Sequence, residues 1–281
     1  MRPQYIQRAF TVLTLVASLS FAACKSDPPT PQPQPVFPKP DVNPNATPYV
    51  TRVLEYLPAV GQFTNTLPEY EAGDTQEDMN RKALEYLKDN QRSLVTLGGW
   101  GGYIIVGLDH TILNVPGKRD FRVLGNAFFG NANKEAYEGG SCEPGIIMVA
   151  YDANRNGRPD EDEWYEIEGS AHVDHTKEPW YTLVKTKVPG ADLNCYRDFE
   201  MTYHRPAKEP ESKDGWSTYI RWEDNKGNSG YKVKNQWHAQ PYFPQWVKGD
   251  KLASHRTPKT KAASARTMCC ISSATAMLTT S

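Results

Sequence analysis

The sequence has no excess of positive charge: 32 Lys and Arg stand against 33 Asp and Glu, a formal net charge of −1. A nucleic-acid partner is therefore not expected. There is no G-x-G-x-x-G and no P-loop, and strands do not alternate with helices, which argues against an α/β nucleotide-binding fold. A Gly-x-Ser-x-Gly elbow and a His-Glu-x-x-His helix are also missing. Glu143, Asp160, Glu163, Glu166 and Glu168 are numerous enough for two to approach by chance, which is no argument for a glycosidase. No enzyme is expected, and a glycan hydrolase would need a catalytic constellation to emerge from the fold. Beyond the N-terminus no run is long and apolar enough to span a bilayer.

What the chain does have begins at its first residue. Arg2 and Arg8 precede an apolar stretch from Ala9 to Phe21, and Ala22-Ala23 stand immediately before Cys24. This is a signal peptide over 1–23. The Phe-Ala-Ala-Cys ending makes it a lipoprotein signal, because processing needs small residues ahead of a Cys that becomes the acylated N-terminus. The apolar stretch falls short of the roughly 20 residues of a spanning helix. Cys24 is thus the expected lipidation site, carrying palmitate-type acyl chains that hold the protein to a membrane outside the cytoplasm. Residues 24–48 are proline-rich and poor in apolar groups, a composition that favours extended, solvated backbone and reads as a tether.

Of the other cysteines, Cys142 and Cys195 can pair in an oxidising compartment, although spacing alone fixes no geometry. Cys269-Cys270 lie in the C-terminal tail.

The folded part is assigned to 49–250. Thr51–Thr66, broken by Pro58 and Gly61, is expected to cover one end of the core. TQEDMNRKALEYLKDNQ, from Thr75 to Gln91, places acidic residues in a first turn and Met79, Ala83, Leu84 and Leu87 at helical spacing, so a helix packed on the core is expected. Short runs follow: SLVTLG, GYIIVGL, DFRVLGNAF, GIIMVAYD, EWYEIEGS, YTLVKTKV, DFEMTYHRP, STYIRWED and GYKVKN. Several alternate apolar and polar residues, as half-buried strands do. Their number and spacing predict a mainly β fold, an antiparallel sandwich or jelly roll with one helix packed on it.

The sharpest local motif is DANRNGRPDEDE, which fits the calcium-loop pattern D-x-[DN]-x-[DN]-G-x5-E. Oxygen donors fall at Asp152, Asn154, Asn156, Asp160 and Glu163, with the carbonyl of Arg158 and a sharp turn at Gly157. Strands flank it, so it is no EF-hand, and any Ca2+ would be structural. The competing reading is a metal-free hairpin turn on Asn156-Gly157. A second polar turn, Glu223–Asn228, has too few carboxylates and reads as a plain hairpin. His172 and His175 flank Asp174 in an expected loop, His110 is placed to fix a loop, and His204 and His238 have no evident partner. Trp216, Trp222, Trp237, Tyr242, Phe243 and Trp246 crowd the end of the domain, mostly as core. If a ligand face exists, the candidates are Tyr242 and Trp246 in YFPQW and Asn126, Phe128 and Phe129 in the long Gly/Asn loop from Gly125 to Gly140.

GGYIIVGLDHTILNVPGKRDFRVLGNAFFGN, then EPGIIMVAYDANRNGRPDEDEWYEIEGS, then MTYHRP, RWEDNKGNSGY and QPYFPQW, together resemble a family of Bacteroidota cell-surface lipoproteins usually labelled cell surface protein or PKD-like protein. The resemblance runs from about Val53 to Val247. It implies a galactose-binding-like jelly roll and a place at the outer membrane beside TonB-dependent receptors, including corrinoid receptors. That points to nutrient capture of a corrinoid or glycan, with a structural or adhesive module binding a protein partner as the alternative. The chain departs from the family at Ser141-Cys142-Glu143-Pro144, where members have Ser-Ser-Glu-Pro, and the family's acidic turn is often one residue shorter.

The tail, 251–281, departs completely and shows no strand patterning. Permitted codons for Lys259 to Ser281, read one base earlier, can encode DESGVGKDYVLYKFSYGYADNV, which restores strand alternation and the family's ending. A change of reading frame between about 248 and 259 is expected, leaving a non-native tail and an incomplete domain.

Overall fold

The computed structural model describes residues 43–61, 67–89, 93–115, 117–125, 145–169, 174–190, 199–210, 218–234 and 241–254, and the backbone of 127–129, 140–142, 261–263, 270–271 and 275–280. The chain divides into two units, 1–36 and 37–281, and all described residues lie in the second.

The protein is mainly β. In chain order the strands are β1 Arg52–Leu57, β2 Tyr103–Gly107, β3 Ile112–Leu113, β4 Ala127–Phe129, β5 Gly140–Cys142, β6 Gly145–Ala150 and β7 Trp164–Ile167. They continue with β8 Met201–His204, β9 Ile220–Asp224, β10 Ser229–Lys232, β11 Lys251–Ala253, β12 Lys261–Ala263, β13 Cys270–Ile271 and β14 Thr275–Thr280. Two α-helices occur among the described residues, α1 Gln76–Leu87 and α2 Pro179–Lys187. One sheet has the order β1-β2-β14-β6-β7-β12 and a second β10-β9-β8-β11; β13-β3 and β4-β5 form two-stranded ribbons. All pairings are antiparallel except β12 with β7.

β2 shows why a near-continuous apolar run makes an interior strand. Successive side chains point to opposite faces, so Tyr103 joins Met148, Ala150 and Trp164 while Ile104 and Val106 join Tyr56 and Ala83. Both faces of β2 are therefore covered. Residues 59–60, which follow β1, enter a third cluster with Tyr203, Tyr219, Ile220, Tyr242, Phe243 and Leu252 beneath the four-stranded sheet. The chain reaches β2 through Gly98-Gly99-Trp100-Gly101-Gly102. A Cβ on Gly98, whose φ is +75°, would fall 1.7 Å from the Ala59 carbonyl oxygen, and one on Gly102 1.7 Å from that of Leu97. Only glycine lets these backbones come so close.

α1 forms where its periodicity predicts. Its N-cap is Thr75, whose hydroxyl accepts from Asp78 N–H while the Asp78 carboxylate accepts from Thr75 N–H, a reciprocal capping box. Met79 and Ala83 are fully buried. The helix stops at Leu87, short of Gln91.

Several expectations change. YTLVKTKV is helix α2 and not a strand: Pro179 presets the first turn and Lys185 and Lys187 occupy the last, where the helix dipole favours cations. Thr51–Thr66 does not merely cap the core, because Arg52–Leu57 is the edge strand β1. SLVTLG is irregular chain with no strand. Residues 43–48 of the expected tether are held against the end of β2, where Asn43 Nδ2 donates to Asp109 O at 3.3 Å and Thr47 N–H donates to Asp109 Oδ2 at 3.2 Å.

The tail behaves in two ways. β11 pairs with β8, Leu252 is buried, and Ser254 Oγ accepts from Met201 N–H at 2.9 Å, so the ordered fold runs beyond residue 250. Further on, where no strand patterning was evident, the backbone of β14 lies between β2 and β6 and pairs with both. β2 and β6 do not pair with each other. Two facing strand edges offer free N–H and C=O groups, and backbone pairing asks little of side-chain pattern.

Candidate functional site

Among the expected site residues, those of the DANRNGRPDEDE loop all lie within the described residues. It joins β6 to β7, so strands do flank it. Asp152 is 7% exposed; its Oδ1 accepts from Asn156 N–H at 3.0 Å and its Oδ2 from Gly157 N–H at 2.8 Å. Glu163 reaches back across the loop, with Oε1 accepting from Ala153 N–H and Oε2 from Asp160 N–H, both at 2.8 Å. Asn154 and Asn156 turn their amide N–H groups toward the Asp160 carboxylate. Asn156 Oδ1 accepts from Arg158 N–H at 2.8 Å. The residues the motif singles out are therefore brought together. They do not form the two-residue turn on Asn156-Gly157, since that turn needs φ > 0 at both positions and here Arg155 (58°) and Gly157 (89°) take it instead. Among the described residues, no group of three or more His, Cys, Asp or Glu side chains is placed to hold a metal. Of the positions the motif singles out, Asp152, Asp160 and Glu163 are carboxylates and the rest supply amide and carbonyl oxygen, the hard-oxygen chemistry that suits Ca2+ and not a transition metal.

The two aromatic candidates in YFPQW separate. Tyr242 is 1% exposed and packs edge-on against Tyr219 at 5.5 Å, so it is core and not ligand face. Trp246 is half-buried and lines an open groove of about 1010 Å³ between the N-terminus of α1 and residues 245–250. Its indole stacks on Tyr56 at 5.9 Å, and its Nε1 donates to Gln76 Oε1 at 3.2 Å. Arg205 also lines the groove and braces the 245–250 segment: Nε donates to Gly249 O at 2.9 Å, Nη2 to Val247 O, and the guanidinium lies 4.2 Å over the Phe243 ring. At the helix end, the Lys82 bond to Asp74 (2.7 Å) lowers the Asp74 pKa. The Thr75 N–H bond, then Arg81 and the Thr75 hydroxyl, hold Asp78 down at about 2. The groove thus sets an indole beside an amide, two carbonyls and a guanidinium that hold one another in place.

The histidines resolve individually. His110 Nδ1 sits 2.8 Å from Asp109 Oδ1 and so helps fix the loop that also holds Thr47. His175 opens a short 3-10 turn and stacks with Trp180 at 6.1 Å. His204 has partners the sequence did not reveal, Glu223 and Arg221. The turn at 223–228 is the plain hairpin expected, with the Asp224 carboxylate accepting from Lys226 and Asn228 N–H. Cys24, Cys195, Asn126, Glu143, His172 and His238 lie outside the described residues, as do the side chains of Phe128, Phe129 and Cys142.

Sequence reasoning missed Gln76 and Arg205 as groove residues. The acidic first turn and the apolar spacing marked where α1 lies, but not that a loop some 170 residues on returns to it. No protein-family model matches the chain, and no curated protein matches it either.

Proposed function

We propose that the protein is a lipid-anchored binding protein of the outer membrane, set at the cell surface through Cys24, that assists a TonB-dependent receptor in capturing a corrinoid or glycan. The groove beside Trp246 carries the binding half of this reading: it is a concave, partly aromatic surface with fixed polar groups, on a domain that follows an acylatable Cys. The two sheets are read as a sandwich of the galactose-binding-like kind, supported by the core in which residues next to β1 meet the inner face of the four-stranded sheet. Membership of the Bacteroidota cell-surface lipoprotein family belongs to the same proposal, as does Ca2+ in the 152–163 loop as a structural ion held by the oxygens of Asp152, Asn154, Asn156, Arg158, Asp160 and Glu163. A disulfide between Cys142 and Cys195 remains part of it too. The burial of Leu252 and the Ser254 hydrogen bonds support placing the change of frame after residue 254.

Titration of the detergent-solubilised full chain with cobalamin and a panel of neutral oligosaccharides tests the reading. Saturable binding weakened about tenfold by Trp246→Ala is expected. A chain that binds none of them contradicts it.

A second reading, an adhesive module that binds a protein partner, is favoured by α2. That helix buries none of its residues and leaves Trp180 45% and Leu183 53% exposed. Capture of a single protein partner by a chain with no affinity for small ligands would select it.

A further inference from the structure

The register of the four-stranded sheet aligns four side chains that are far apart in sequence. Tyr231 on β10 faces Arg221 on β9, Arg221 Nη1 lies 3.1 Å from His204 Nε2 on β8, and His204 faces Lys251 on β11. The flanking residues Ile220, Tyr203 and Leu252 point into the core at 0%, 0% and 6% exposure. Alternation therefore turns the row of four to the outer face. There Tyr231 is 53%, Arg221 46% and Lys251 63% exposed. At ordinary strand spacing the row is about 14 Å long.

Among the described residues, one carboxylate serves this row. Glu223 Oε2 takes Arg221 Nη2 at 2.9 Å, while its Oε1 lies 3.1 Å from His204 Nε2 and 4.0 Å from Lys251 Nζ. Partial desolvation pushes the Glu223 pKa up, but the charge of Arg221 and the His204 and Arg221 bonds outweigh it and the net shift is downward. Two permanent cations share one anion, and an exposed aromatic ring stands at the end of the row.

The geometry points to this outer face as a docking surface for an anionic glycan chain. Tyr231 stacks on a sugar ring, and Arg221 and Lys251 pair with its carboxylate or sulfate groups. A neutral glycan would leave the spare positive charge of Arg221 and Lys251 uncompensated. The inference rests on the binding-protein reading above and names a ligand class for it at a surface distinct from the Trp246 groove.

The test is affinity electrophoresis of the detergent-solubilised full chain through heparin, with dextran as the neutral control. Retardation by heparin and not by dextran is expected. Tyr231→Ala and Arg221→Ala should each weaken it about tenfold, Tyr231→Phe should retain it, and Glu223→Gln should strengthen it. Unchanged melting temperatures in these exposed variants exclude misfolding as the cause. Absence of retardation, or retardation indifferent to Tyr231→Ala, overturns the inference. If heparin fails while a ligand of the Trp246 groove still binds, the outer face alone is dismissed; if neither binds, the binding-protein reading falls with it.

Discussion

Asn80 stands where a neighbouring strand would against Tyr56: its Oδ1 accepts the Tyr56 N–H at 2.9 Å, and its Nδ2 donates to the Leu54 carbonyl at 3.0 Å. β1 is the edge of the six-stranded sheet, and an edge left with unpaired backbone groups recruits other chains. Gln76 adds a bond from Nε2 to the Tyr56 carbonyl at 2.8 Å. One helix face thus closes a sheet edge with side-chain amides.

Asn80→Leu should therefore destabilise the protein by about 2–4 kcal/mol, because the buried Tyr56 N–H and the part-buried Leu54 C=O lose their partners to an apolar side chain of the same branching. Urea denaturation reads the loss directly. A cost under about 0.5 kcal/mol would show that water satisfies these groups instead.

The capping box sets an acid limit. The Asp78 pKa is about 2 in the folded chain against an ordinary 3.8. Between those values the unfolded chain binds more protons, so this contribution is complete above about pH 4 and is lost as pH falls toward 2. Asp78→Asn should flatten the acid side of the stability curve relative to the parent chain, measured as Tm against pH. Parallel curves would contradict the assignment.

If the 152–163 loop holds Ca2+, the ion stabilises the folded state by mass action, by about 2.7 kcal/mol at a hundredfold excess over Kd. Calcium should raise Tm and a chelator should lower it, with Glu163→Gln abolishing the difference and Mg2+ failing to substitute. Equal melting temperatures in calcium and chelator would leave the loop's own hydrogen bonds as its sole closure.

The space between β2 and β6 suggests a test of the tail. Replacing Lys259–Ser281 with DESGVGKDYVLYKFSYGYADNV should raise Tm and suppress aggregation, because that string has the alternation a strand in this position needs. A chain made less stable by the replacement would show that the tail as it stands is the native occupant.

Legibility followed the range of the interactions. α1 could be read because its acidic first turn and its apolar spacing are local. β2, β6, β7, β8, β9 and β10 could be read because their apolar content is. YTLVKTKV misled because a short run with two lysines fits either period, and Pro179 just before it carried the deciding signal. The calcium-type loop was visible as a motif, but the positive φ at Arg155 was not. Tyr242 and Trp246 looked alike in sequence and were separated only by what packs on them. Neither the Asn80 contact with Tyr56 nor the row from Tyr231 to Lys251 has a sequence signature, since each depends on which strand lies beside which.

The anchor is the claim on which the rest depends, and metabolic labelling with a palmitate analogue tests it most directly. Cells expressing the chain should yield a labelled protein that protease added to intact cells removes, and Cys24→Ser should abolish the label. An unlabelled parent chain, or a label that survives Cys24→Ser, would contradict the account.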